Sequence, residues 1–210
     1  MTLERGTVAG ELAAEFPGLA LHCLTIDAGS GRSPAEVKER LREMSNRITG
    51  AKAVQLRQEP VPWAYRVFFR QVGIDPDERR TPAEQVVLDR LKHGGFRSRN
   101  LLDDAITIAT VETGVALVAF DAQRVSPPLH MRLAAPGELL GAAGRPLSDG
   151  QILIADVERP LAVLFADLDP DAGVTPATTR IAMAAVQVAG VPDIAVEEAL
   201  WTVEEILTRA

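Results

Sequence analysis

Asp104, Thr107 and Thr110 follow one another at intervals of three in a segment with helical patterning. That spacing predicts one carboxylate and two hydroxyls on neighbouring positions of a helix face. Such a set is the equipment of general acid–base chemistry or of a polar pocket wall. Asn100 stands just ahead of them, and Asp121 closes the apolar run that follows. Two readings of Asn100, Asp104 and Asp121 are open. Either Asn100 caps its helix and the aspartates tie turns to backbone N–H groups, or Asp104, Thr107 and Thr110 line a cavity with the strand that carries Val118.

A second group is cationic. Between Trp63 and Arg99, eight Lys/Arg oppose five Asp/Glu, whereas the rest of the chain sets 14 against 24. Arg66, Arg70, Arg97 and Arg99 are therefore candidates for meeting phosphate, although charge on an amphipathic helix ordinarily does no more than face solvent. The formal net charge of -7 argues against a general nucleic-acid coat.

Other chemistry is poorly supported. His22 and Cys23 are neighbours on an expected strand, so they leave opposite faces and cannot share a metal or act as a nucleophile–base pair. Three histidines and one cysteine lack metal-ligand spacing, and there is no phosphate loop, dinucleotide fingerprint or nucleophile elbow; no metal or cofactor is expected. Asp167, Asp169 and Asp171 begin like a calcium loop, but Pro170 and Thr178, at the twelfth position, break the pattern. The lone cysteine gives no internal disulfide, and no apolar run reaches about 20 residues, so a cytoplasmic protein without a membrane span is expected.

The elements that must position these residues are legible in outline. LALHCLTI (19–26) predicts a buried strand, and Ser33-Pro34 predicts a capped helix to Ile48 with Val37, Leu41 and Met44 inward. AKAVQL reads as a short extended piece. A helix with Trp63, Val67, Phe68 and Val72 as its apolar stripe ends at Gly73, and Thr81-Pro82 opens another with Val86, Val87, Leu88 and Leu91 inward. A helix over Asn100–Glu112 leads through Gly114 into the strand VALVAF (115–120). HMRLA, QILIAD and LAVLFAD predict three more strands, the last two a hairpin. Thr175–Gly190 and the stretch after Pro192 read as helices. This order predicts an α+β fold with a mostly antiparallel β core flanked by helices. One compact unit is expected, comprising an extension (1–55) packed on the core, a main domain (56–190) and a closing helix (191–210).

Trp63–Leu91, with Arg66, Gly73, Asp75-Pro76, the Arg-Thr-Pro turn and Glu84, resembles the entry segment of free-standing B3/B4-domain proteins. Asn100, Asp104, Gly114 and Asp121 match without a gap the B3/B4 domain of the bacterial phenylalanyl-tRNA synthetase beta subunit. Arg132, Ala134, Gly137 and Glu138 continue the likeness, and Thr175–Ala185 resembles that domain's closing threonine-led helix. The resemblance implies the same fold and an editing module that removes tyrosine mistakenly attached to the phenylalanine tRNA. The family's histidine and glutamate fall here at Val118 and Ala184, and its asparagine and proline at Thr107 and Ala116.

A positioned acid or base contributes roughly 10²–10⁴-fold in rate, and valine and alanine at these positions supply neither. What the resemblance implies is a pocket built from Asn100, Asp104, Thr107, Thr110, Ala116, Val118 and Ala184. Its partner would be the acceptor end of a tRNA, met by the four arginines, with deacylation in trans as the activity. The alternative is a non-catalytic module that kept the cavity for a small apolar ligand or a protein partner.

Overall fold

The computed structural model describes residues 3–142 and 144–209. The chain opens with strand β1 (Glu4–Val8), helix α1 (Gly10–Glu15) and strand β2 (Ala20–Ile26). Helices α2 (Ala35–Arg47), α3 (Gly50–Leu56), α4 (Pro60–Gln71), α5 (Pro82–His93) and α6 (Leu101–Thr113) follow in succession. Then come β3 (Ala116–Asp121), β4 (His130–Leu133), the small pair β5 (Leu139–Leu140) and β6 (Arg145–Pro146), β7 (Ile152–Ala155), β8 (Pro160–Val163), β9 (Ile181–Gln187) and the closing helix α7 (Asp193–Arg209).

Seven strands make one sheet in the order β3-β9-β2-β1-β4-β7-β8. Every pairing in it is antiparallel except β1 with β4, so the fold is the antiparallel-dominated α+β architecture that the sequence predicts. β1 joins the two halves: Glu4 to Gly6 pair with β2, and Thr7 and Val8 pair with β4. At the changeover a Cβ on Gly6 would lie 2.7 Å from the carbonyl oxygen of Leu129, so the close approach requires glycine. β3 and β8 are opposite edges of the sheet, yet residues of both line one cleft; the sheet is therefore curled like an open barrel.

Helix α4 closes one end of the curl. Tyr65, Phe68 and Phe69 pack around Phe165, with ring centroids 5.8, 6.1 and 5.1 Å away. On the other face, α6 packs along α7, which in turn lies on β9 and β2. Burial of Val196, Leu200, Val203 and Leu207 fixes that arrangement, following the stripe expected from sequence.

Several elements depart from expectation. Thr175–Gly190 is not a helix: Thr175 and Thr178 form a turn, and Ile181–Gln187 is β9, buried at all seven positions. A strand covered on both faces has no alternation to betray it, and its alanines and methionine are equally good helix formers. AKAVQL, expected as extended, lies in α3, where the Thr49 hydroxyl accepts from the Lys52 N–H. Helix α4 turns Ala64, Tyr65, Phe68 and Phe69 inward and leaves Trp63 49% and Val67 37% exposed, because it is apolar on more than one face. Of the expected inward stripe of α5 only Val87 is fully buried, beside Ala83 and Glu84. Ser33 does not cap α2; its hydroxyl crosses to Asp104. No helix among the described residues is long and apolar enough to cross a membrane.

Candidate functional site

The path into the site begins at the start of α6. Asn100 Oδ1 accepts from the Asp103 N–H at 2.8 Å, which makes it the N-cap. Asp104, only 2% exposed, accepts from the Ser33 and Ser98 hydroxyls at 2.6 Å each and from the Arg99 N–H at 3.0 Å. With that many donors the carboxylate is a structural tie between α6, the segment before it and the entry to α2. Asp121 plays a similar part, accepting from the Thr178 hydroxyl at 2.6 Å and the Gln123 N–H at 3.0 Å.

Asp104, Thr107 and Thr110 do not share one hollow. Asp104 and Thr107 border an open groove of about 400 Å³ with Arg90, His93, Arg97 and Arg99. Thr110 instead borders the cleft at the seam of the sheet. At 100° per residue, positions six apart on an α-helix differ by about 120°, so this divergence is built into the spacing.

The seam cleft has a volume of about 340 Å³. Ala116, Leu117 and Val118 of β3 and Val186 of β9 form one wall; Ile154, Ala162, residues 163–166 and Leu168 form the opposite one. Helices α5 and α6 close it with Gln85, Val86, Ile106 and Thr110. Val118 and Ala184 are direct cross-strand partners, hence on the same face of the sheet, with Ala184 fully buried beneath the wall. The mouth of β3 is pinned by Tyr65, whose hydroxyl donates to the Val186 carbonyl and accepts from the Ala116 N–H at 3.1 Å. Burial pushes the Tyr65 phenol far above its ordinary range, so it remains a protonated donor.

The arginines part ways as well. Arg66 is 4% exposed and is consumed internally by Glu84 at 2.8 Å and Asp77 at 2.8 Å. It has no face to offer phosphate, and its expected role there is corrected to a buried ion pair. Arg70 is exposed on α4, with its guanidinium 5.6 Å from the Trp63 ring centroid. Arg97 and Arg99 are exposed beside the open groove. Asn100, Asp104, Thr107, Arg97 and Arg99 thus cluster at one place, and Thr110, Ala116, Val118 and Ala184 at another.

Cys23 lies across the sheet from Ala184 in register, but burial pushes its thiol up to about 11, so it is no nucleophile at neutral pH. Among the described residues no group of three or more His, Cys, Asp or Glu could hold a metal ion. Arg80, Gln85, residues 163–166 and Leu168 are cleft residues that the sequence reading missed. Arg80 sits in the Arg-Thr-Pro turn and could have been noticed there; Phe165, at φ +55°, gives no sequence signal.

Fold and site together define a mixed α+β domain with an apolar cleft at the seam of a curled sheet. The chain belongs to the B3/4 domain family, whose model matches residues 64–198, more than half its length. It is similar to the phenylalanine–tRNA ligase beta subunits of Pasteurella multocida, 33% identical over 87 residues, and Nitrosospira multiformis, 35% identical over 98. These alignments cover 40% and 43% of this chain but only 11% and 12% of the relatives, so the chain spans about a tenth of the length of the curated proteins it matches. Among solved structures, an N-terminal fragment of the phenylalanyl-tRNA synthetase beta subunit from Pyrococcus horikoshii aligns over 53% of this chain and 41% of its own. The identity is 17% and the TM-score 0.43.

Proposed function

We propose that this domain holds the aminoacylated 3′ end of a tRNA, with the aminoacyl group in the seam cleft and the nucleic-acid backbone near Arg70, Arg97 and Arg99. The observation that carries this reading is the pairing of Val118 with Ala184 on the cleft face of β3 and β9. Those are the two positions at which the resemblance places the polar groups of an editing site. With valine and alanine there, the pocket keeps its location and loses its means of activating water. Family membership and the likeness to tRNA-ligase subunits support a nucleic-acid partner.

A second reading, deacylation in trans, draws on Thr110. Its side chain carries the one hydroxyl among the residues lining the cleft. The two readings separate in one set of assays. Charged and uncharged tRNAs are compared for retention at low salt, where phosphate contacts are strongest, and a panel of mischarged tRNAs is followed for loss of the amino acid. The binding reading predicts tighter retention of a charged tRNA, no acceleration of ester loss, and no effect of Thr107→Ala, which lies in the other groove. Equal retention of charged and uncharged forms contradicts it; ester loss that disappears in Thr110→Val establishes the second reading.

A further inference from the structure

One cationic side chain reaches the seam cleft, and it is held in place before any ligand arrives. Arg80 Nη1 donates to Asp77 Oδ1 at 3.0 Å and to the Pro76 carbonyl at 3.2 Å. Its Nε and Nη2 have no protein partner among the described residues. The same Asp77 oxygen also accepts from Arg66 at 2.8 Å and Arg57 at 3.4 Å, and Glu84 answers Arg66 at 2.8 Å and Arg57 at 3.2 Å. Three guanidinium groups therefore face two carboxylates, which leaves one positive charge in excess, and Arg80 is the member of the cluster that borders the cleft. The opposite wall is anchored by the neighbouring residue, since Arg79 Nη2 donates to the Phe165 carbonyl at 2.6 Å.

Everything else that meets the occupant is apolar or uncharged: Ala116, Val118, Ile154, Leu164 and Val186, with Gln85 and Thr110. A slot of this kind, with a single fork of N–H donors at its edge, suits an apolar group carrying an anion a short distance away. We infer that Arg80 is the anion contact of the seam cleft and that its ligand joins an apolar side chain to a phosphate or a carboxylate. This rests on the cleft being the ligand site proposed above. Two sources fit the shared chemistry: the phosphate of a terminal nucleotide bearing an aminoacyl group, or the carboxylate of a free acylated amino acid.

Titration calorimetry with three probes distinguishes them. The probes are 3′-(L-phenylalanylamino)-3′-deoxyadenosine 5′-monophosphate, which cannot be hydrolysed as an ester, the same nucleoside without its phosphate, and N-acetyl-L-phenylalanine. The monophosphate is expected to bind at least about tenfold more tightly than the nucleoside, and Arg80→Gln is expected to erase that difference while Arg80→Lys keeps part of it. Equal affinity of wild type and Arg80→Gln for the monophosphate overturns the inference and leaves the tRNA-end reading standing. Arg80-dependent binding of N-acetylphenylalanine alone supports the inference and contradicts the tRNA-end reading. If no probe binds, both fall. Should Arg80→Gln not fold, the wild-type ratio of monophosphate to nucleoside still decides, and a ratio near one overturns the inference.

Discussion

Arg66 shows how a residue type can be read correctly as important and wrongly as exposed. Its sequence neighbours offer no sign that Glu84, eighteen residues on, will fold back against it, yet the two meet at 2.8 Å with 4% and 3% exposure. Removing Arg66 takes from the buried Glu84 its partner at 2.8 Å and leaves it Arg57 at 3.2 Å and the Thr81 N–H and hydroxyl. Arg66→Ala is therefore expected to cost roughly 1–3 kcal/mol in denaturant unfolding, with little change for Arg99→Ala. A near-neutral Arg66→Ala would contradict the buried pair. Asp77 adds a pH dependence of known sign. The hydrogen bond from Arg66, followed by that from Arg80, holds its carboxyl below the usual carboxylate range in the folded state. Its contribution is thus present above the ordinary aspartate pKa and is lost as pH falls through the depressed folded value, below about pH 4. Urea midpoints measured down to acid pH should fall more steeply in wild type than in Asp77→Asn; parallel curves would refute this.

Helix α6 and strand β3 were largely legible because their punctuation is local: Asn100 caps, Gly114 ends, and an unbroken apolar run follows. Gly114 has φ +77°, and a Cβ there would lie 3.0 Å from Pro62 Cδ and 3.1 Å from Val61 Cγ1. Gly114→Ala is accordingly expected to destabilise by roughly 1–3 kcal/mol in thermal or chemical unfolding, and an unchanged midpoint would count against this turn geometry. What local signals left out was facing. Spacing placed Asp104, Thr107 and Thr110 along one helix, but helical rotation carries Thr110 to the cleft and the other two to the groove. The apolar residues of α4 likewise did not reveal which of them, Trp63 or Tyr65, would point inward. β9 was missed outright, since a strand buried on both faces carries no periodic signal.

At the scale of the whole molecule, long-range pairing decides what no segment announces. The span matched by the family begins inside α4, yet β1 and β2 are interior strands of the sheet and β1 alone connects its two halves. A fragment starting at residue 56 would expose the flanks of β9 and β4, so it is expected to give the collapsed, poorly dispersed amide spectrum of a chain without fixed packing. A well-dispersed spectrum from that fragment would show that the first strands are dispensable. The curl that brings β3 and β8 to one cleft is a product of the same topology, and the functional account depends on it. Methyl-resolved NMR of the intact chain, titrated with 3′-(L-phenylalanylamino)-3′-deoxyadenosine 5′-monophosphate, tests that account most directly. The expected result is that Leu117, Val118, Ile154, Val163, Leu164 and Val186 shift together and saturate; shifts confined to the groove beside Arg97 and Arg99, or none at all, would contradict it.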